Sequence, residues 1–176
     1  MNQDKRSFDV LAQLAALRRY ARSLVRDSSE AEDLVHDALV KAYERRVTFC
    51  GGANLRSWLF AIVHNTHVDR GRMLRTQQVR DDAASAHAVS SYPAVQEQAV
   101  HLRQVREAFM ALPEEQREAL HLVAVEDMSY QEAADTLGIP VGTLMSRISR
   151  ARARLRSLED DPKQPSHLRL IGGGND

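Results

Sequence analysis

Hydroxyl and guanidinium side chains recur along the segment from Val141 to Leu155. At about 100° per residue of helix, its apolar residues lie on one side and its polar and basic residues on the other. Such groups suit base edges and phosphates. The pattern predicts a DNA-binding helix, with an arginine-rich solvated helix in an ordinary bundle as the alternative. We call the residues predicted to contact DNA the recognition set: Thr143, Ser146, Arg147, Ser149, Arg150 and Arg154.

The segment before this helix carries the signals of a second, shorter helix. Ser129 followed by Glu132 forms a capping box, which predicts a helix start. Gly138 suits the end of that helix, and Pro140 suits the beginning of the next. Two helices joined by so short a turn predict a helix-turn-helix, whose second helix commonly enters the major groove.

Composition favours an all-α fold. Only 5% of the 176 residues are aromatic, and glycine and proline are sparse, which disfavours a sandwich or barrel. The formal net charge is zero, so we expect modest DNA affinity unless a partner supplies the rest. Cys50 is the single cysteine, which excludes an intrachain disulfide; a redox role for it is a weak hypothesis. No signal peptide or membrane span is evident, and we expect a soluble, cytoplasmic protein.

Hydrophobic periodicity divides the chain into two small helical domains joined by a flexible linker. The predicted domains are 7–72 and 99–158, the linker is 73–98, and the tail 159–176 is expected to be disordered. In the first domain a second capping box, Ser29 with Glu32, predicts a helix start. The apolar stripes predicted to face inward include Val10, Leu11, Leu14, Leu17, Leu34, Val35, Ile62, Val63, Leu102, Val105, Phe109 and Tyr130.

Three stretches together resemble the extracytoplasmic-function (ECF) group of bacterial sigma-70 family factors. Region 2.2 of that family is similar to AEDLVHDALVKAY, from Ala31 to Tyr43. Regions 2.3 and 2.4 are similar to LRSWLFAIVHNTHVDRGR, from Leu55 to Arg72. Region 4 is similar to ALPEEQREALHLVAVEDMSYQEAADTLGIPVGTLMSRISRARARL, from Ala111 to Leu155. The resemblance implies a factor that binds core RNA polymerase, directs it to promoters and helps to melt the −10 element.

The resemblance also implies which residues meet the polymerase. Region 2.2 would dock on the clamp helices of the β′ subunit, and region 4 on the β flap. His36 stands where the family usually has glutamine. The alternative is that the acidic residues decorate a solvated helix face. The residues at the matching positions, called here the polymerase set, are Asp33, Leu34, His36, Asp37 and Lys41.

Region 2.4 of the family captures an extruded base of the −10 strand, and Asn65 occupies the position of its base-contacting asparagine. An amide can donate and accept hydrogen bonds at a base edge. Basic residues nearby would follow the phosphates of the single strand. Trp58 matches a family tryptophan, and both stacking on DNA and packing in the core remain open for it. The −10 set is Arg56, Trp58, Asn65, His67, Arg70 and Arg72.

The resemblance further implies −35 recognition by the recognition set, an anti-sigma factor as a partner, and a stress regulon, since PEEQREAL resembles the general-stress subgroup. His64 and His67 share a helix face, but no third ligand follows at a metal-binding spacing, so we expect no metal. No catalytic triad or phosphate-binding loop occurs, so we expect no enzymatic activity and no cofactor. A dimeric helix-turn-helix regulator and a sigma-like interaction module or anti-sigma decoy are the alternatives.

Overall fold

Three helices form a first block in the computed structural model, which describes residues 9–49, 54–78 and 97–159. A 3₁₀ turn at Leu11–Gln13 precedes helix α1 (Leu14–Leu24), and helix α2 spans Ser28–Glu44. Another 3₁₀ turn follows at Arg46–Thr48, and the long helix α3 spans Leu55–Gln78. The three helices pack on one another around apolar side chains such as Leu17, Leu34, Phe60 and Val63. This packing fixes the face that α3 presents.

The second block contains the helix-turn-helix. Helices α4 (Glu97–Met110), α5 (Glu114–Ala124), α6 (Tyr130–Leu137) and α7 (Val141–Glu159) follow one another, and α5, α6 and α7 pack together. The predicted capping box at the start of α6 is present, because Ser129 and Glu132 each bond the other's backbone N–H. Gly138 ends that helix at φ 63°, a left-handed conformation that glycine adopts without strain. The short turn sets the direction of α7.

One predicted helix start is wrong. Helix α2 is capped by Asp27, whose carboxylate accepts hydrogen bonds from the N–H groups of Ser29 and Glu30 at 2.8 and 2.9 Å. Ser29 therefore lies inside the first turn instead of capping it. Glu32 is turned towards α1, where it pairs with Arg18 and Arg22.

Four side chains of the predicted stripes are exposed: Leu11, Leu102, Val105 and Tyr130. Leu11 lies in the 3₁₀ turn, where α-helical spacing no longer applies, and Leu102 and Val105 lie on α4, which packs only sparsely against α7. Helix α3 runs unbroken through its polar middle and continues to Gln78, so residues 73–78, which were predicted to belong to the linker, are helical. The predictions for Cys50, for 79–96 and for 160–176 concern residues outside those the structure describes.

The two blocks lie against each other. Helix α1 contacts α5, and α3 contacts α6, so the helix that carries the predicted −10 set lies against the second block. We call this the closed arrangement. Among the described helices, none combines the length and the hydropathy that a membrane crossing requires.

Candidate nucleic-acid interface

The recognition set lies on α7, whose opposite side is anchored by the buried residues Leu144, Ile148 and Ala151. This confirms the predicted apolar stripe. Of the recognition set, the residues exposed on α7 are Thr143, Ser149, Arg150 and Arg154, and Ser146 is half-buried. The helix therefore presents a polar and basic face to solvent.

Arg147 was predicted to project from this face, and that prediction is wrong in the closed arrangement. Its Nη1 lies 3.3 Å from Glu118 Oε1 and its Nη2 lies 3.2 Å from Glu115 Oε2. The side chain is only 18% exposed. Both carboxylates belong to α5, so Arg147 ties α7 to α5 within the second block.

The −10 set lies on α3, and two of its six residues, Asn65 and Arg72, are exposed. Trp58 is half-buried, packs against the hydrophobic core, and has its ring centroid 5.3 Å from that of Phe49. This position supports the packing role that the sequence left open for Trp58.

The other three members of the −10 set already contact acidic residues. Arg56 Nη2 lies 2.6 Å from Glu126 Oε2, and His67 Nε2 lies 2.6 Å from Glu114 Oε1. Both carboxylates come from the second block. The hydrogen bond from His67 lowers the pKa of Glu114, so Glu114 accepts as a carboxylate. In the closed arrangement these two α3 side chains are held by protein carboxylates.

Arg70, in contrast, is engaged within the first block. Its Nη2 donates to Asp37 Oδ2 at 2.6 Å and to the Asp33 carbonyl at 2.9 Å. One residue of the −10 set is thus paired with one of the polymerase set. This ion pair is partly exposed, and exposed pairs contribute little to stability.

The polymerase set lies on α2, where Asp33, His36 and Asp37 are exposed. Lys41 is half-buried, with Nζ 3.6 Å from Asp69 Oδ2. Leu34 is fully buried in the core, which confirms its predicted place on the inward stripe but not the polymerase contact that the resemblance implied. Helical geometry explains the difference, since Leu34 falls on the inward face with Ala31, Val35 and Ala38.

A buried polar contact between the blocks was not predicted at all. Glu126, fully buried between α5 and α6, accepts from Arg19 Nε and Nη2, each at 3.2 Å, as well as from Arg56. Reciprocally, the buried Arg117 of α5 donates to the carbonyls of Ser23 and Leu24 at the end of α1. Those carbonyls lack helical partners because the helix ends there.

Two further pairs cross the same boundary. Asn54 Nδ2 donates to Glu132 Oε1 at 3.1 Å. His64 Nδ1 lies 3.2 Å from Glu118 Oε2, although the two atoms are not aligned as a hydrogen bond. Each histidine considered as a metal ligand thus faces a glutamate, and no group of three potential ligands converges within the described residues.

Local sequence patterns could not reveal these contacts. Arg19 and Glu126 are 107 positions apart, and Arg56 and Glu126 are 70 apart. Glu126 also lies in a turn, where periodicity carries no information. The available signal was that Arg117 lies three positions before Leu120 and therefore on the apolar side of α5.

Two family models match the chain, one per block. Sigma-70, region 4, matches residues 102–155, and the Sigma2 domain of PhyR matches residues 10–64. The ECF RNA polymerase sigma factor EcfG of Rhodopseudomonas palustris is 36% identical over 174 residues, covering 95% of this chain and 94% of that protein. The ECF RNA polymerase sigma factor SigM of Mycobacterium tuberculosis is 35% identical over 157 residues, covering 88% and 78%.

Solved structures agree with this similarity. The sigma factor RpoE from Bartonella quintana, solved in complex with the anti-sigma factor NepR, superposes with a TM-score of 0.78 at 36% identity. The superposition covers 92% of this chain and 99% of that one. CnrH, solved with the cytosolic domain of CnrY, gives a TM-score of 0.65 at 28% identity, covering 92% and 91%.

Proposed function

Because this chain belongs to the ECF RNA polymerase sigma factors, we propose that it binds core polymerase through α2 and reads promoters through α3 and α7. This assignment of separate binding roles rests on the placement of three polar surfaces on three different helices. Asp33, His36 and Asp37 are exposed on α2, Asn65 on α3, and Arg150 on α7.

The −35 element is assigned to α7. Arg150 lies opposite the buried Leu144 and Ile148, on the side of the helix that can enter a major groove. Bidentate arginine contacts to guanine are the commonest specific contact in that groove. Arg147 contributes by holding α7 on α5 through Glu115 and Glu118, not by a base contact.

The −10 element is assigned to α3, with Asn65 contacting an extruded base. Its exposed amide can donate and accept. Arg56 and His67 reach the strand only after they leave Glu126 and Glu114. The chain catalyses no covalent step in this scheme, and it acts in the cytoplasm, where its polymerase and promoters are.

An anti-sigma factor is part of the proposal. RpoE of Bartonella quintana was solved with NepR, and CnrH with CnrY, so we expect an inhibitor for this chain as well. It would compete with core polymerase for the α2 surface around Asp33 and Asp37. The similarity of PEEQREAL to the general-stress subgroup supports a stress regulon as the target.

The decisive experiment is run-off transcription with purified core polymerase of the native host on a library of that host's promoters. We expect products that depend on the added chain. An Asn65→Ala variant should still bind core polymerase but give weaker permanganate reactivity at the −10 region. Products that never exceed those of core polymerase alone would refute sigma activity, and unchanged reactivity would refute the role of Asn65.

A further inference from the structure

Glu126 is a buried carboxylate whose partners come largely from the other block. Its two oxygens accept three hydrogen bonds from Arg19 and Arg56, at 3.2, 3.2 and 2.6 Å, and His121 Nε2 lies 3.3 Å away. Burying an isolated carboxylate costs several kcal/mol unless it is paired. The arginines of the first block are therefore what permits this carboxylate to be buried.

The turn that carries Glu126 is itself well fixed. Its N–H bonds the carbonyl of His121 at 3.1 Å, Asp127 adopts φ 53°, and Met128 N–H bonds the carbonyl of Leu122 at 3.0 Å. The backbone of the second block thus fixes the position from which the Glu126 side chain reaches the first block.

Two features of the contact between the blocks favour its opening. Arg19 and Arg56 remain partly exposed, with 53% and 33% of their side chains accessible, so water can replace Glu126 at both. The hydroxyl of Tyr20, whose ring lies 5.5 Å from that of His121 across the boundary, is buried without a hydrogen-bond partner among the described residues. Such a group carries a desolvation penalty, which separation of the blocks would relieve.

We propose that Glu126 is the acceptor of an intramolecular latch, which keeps the free protein closed and holds Arg56 away from DNA. Carboxylate and phosphate oxygens both accept charge-assisted hydrogen bonds from a guanidinium group. Glu126 therefore takes the place at Arg56 that a DNA phosphate would take. The effect of this latch on promoter binding rests on the proposed function.

The distance between the two promoter elements implies that a closed protein cannot bind both of them. Elements centred near −10 and −35 are about 25 base pairs apart, which at about 3.4 Å per pair corresponds to about 85 Å. In the closed arrangement α3 and α6 are in contact, so α3 and α7 cannot reach both elements. The latch must open before both promoter elements are bound, and a polymerase that binds only the separated blocks would shift the population towards the open form.

The test measures opening directly in the full-length chain without polymerase or DNA. Cys50 is replaced by alanine, and dyes are attached at cysteines introduced at the exposed Ala15 of α1 and Ala153 of α7 for single-molecule energy transfer. Glu126→Gln should raise the open-to-closed ratio by about tenfold, because it removes charge-assisted hydrogen bonds. Glu107→Gln is the matched control, since Glu107 is an exposed second-block glutamate that pairs only locally, with Arg103.

Arg19→Gln breaks the same latch from the first block, so it covers the case in which Glu126→Gln does not fold. It should raise the open fraction and also strengthen binding of a single-stranded −10 oligonucleotide by the free protein. Loss of a positive charge would by itself weaken that binding, so an increase reports release of Arg56. Circular dichroism verifies that each variant is folded.

The latch is overturned if folded Glu126→Gln or Arg19→Gln has the wild-type distance distribution, or if the wild-type chain is already as open as the variants. This result is separable from the run-off assay. A shift in distance without chain-dependent transcription would keep the latch and refute the sigma function. Chain-dependent transcription without a change in the distance distribution would keep the sigma function and refute the latch.

Discussion

The two helices proposed to contact DNA differ in how far the closed arrangement covers them. On α3, Arg56 and His67 are held by Glu126 and Glu114 of the second block. On α7, Arg150 is exposed, and none of the inter-block pairs in the described part of the chain involves it. The closed arrangement therefore restricts the surface assigned to the melted strand while leaving the surface assigned to duplex DNA accessible. Under the proposed latch, opening would free Arg56 and His67 for the strand, whereas Asn65 is exposed already.

The largest expected effect on stability comes from removing the contact that Arg117 makes between the two blocks. Replacing this buried residue by methionine removes the donor from the carbonyls of Ser23, Leu24 and Leu112. Buried acceptors left without donors cost about 1–3 kcal/mol each, so we expect Arg117→Met to lower the free energy of unfolding by about 3 kcal/mol. Urea unfolding followed by circular dichroism measures it.

The exposed Arg106 of α4 provides the matched control, and Arg106→Met should change stability by less than about 0.5 kcal/mol. If the two methionine variants are equally stable, Arg117 does not hold the blocks together as the structure indicates.

A second effect appears on acidification. Burial lowers the pKa of His121 to about 4, although the neighbouring Glu126 opposes this shift and Arg19 adds to it. Between the ordinary pKa of about 6.5 and about 4, the unfolded chain binds a proton that the folded chain does not. The contribution is complete above pH 6.5 and is lost as the pH falls towards 4. It amounts to at most about 3 kcal/mol at 1.36 kcal/mol per pKa unit.

Stability should therefore fall more steeply over this pH range in the wild type than in His121→Gln. His36→Gln, at an exposed position of α2, is the control and should keep the wild-type slope. Denaturant titrations at pH 7, 6, 5 and 4 give the comparison. Parallel curves for the wild type and His121→Gln would contradict the buried, neutral state of this histidine.

The difference between α3 and α7 predicts unequal effects on duplex binding by the free protein. Arg150→Ala should weaken binding to a −35 duplex by about 1–3 kcal/mol, the usual cost of a lost bidentate base contact. Arg56→Ala should leave that affinity nearly unchanged, because Arg56 faces Glu126. Fluorescence anisotropy at one fixed salt concentration, with a promoter identified by the run-off assay, measures both. Equal losses would mean that the two helices are equally accessible.

The sequence predicted well most features that depend on neighbours along the chain, with the cap of α2 as an exception. The apolar face of α7, the capping box at Ser129 and the turn at Gly138 are confirmed, since each follows from spacing within two helical turns. The family resemblance then supplied the function. Leu34 shows where two signals disagree, since it lies inward as its helical spacing predicted, whereas its motif position alone implied a polymerase contact.

Contacts between the blocks could not be predicted in this way. The interaction of Glu126 with Arg19 and Arg56 joins residues of a turn and of two remote helices. Nothing in the local pattern distinguishes such a glutamate from a solvated one. Arg147 illustrates the same limit, because its direction is set by Glu115 and Glu118 on another helix.

The smallest expected effect concerns the cap of α2, where sequence and structure disagree. Both Asp27 and Ser29 are good capping types, but only the Asp27 carboxylate accepts from N–H groups of the first turn. Replacing a capping residue by alanine typically costs about 1 kcal/mol. We expect that loss for Asp27→Ala and for Ser129→Ala, the genuine cap of α6. Ser29→Ala should be nearly neutral, because alanine is a better helix former within a first turn. Thermal and urea unfolding of the three variants would decide between the two capping assignments, and a larger loss for Ser29→Ala than for Asp27→Ala would restore the one predicted from the sequence.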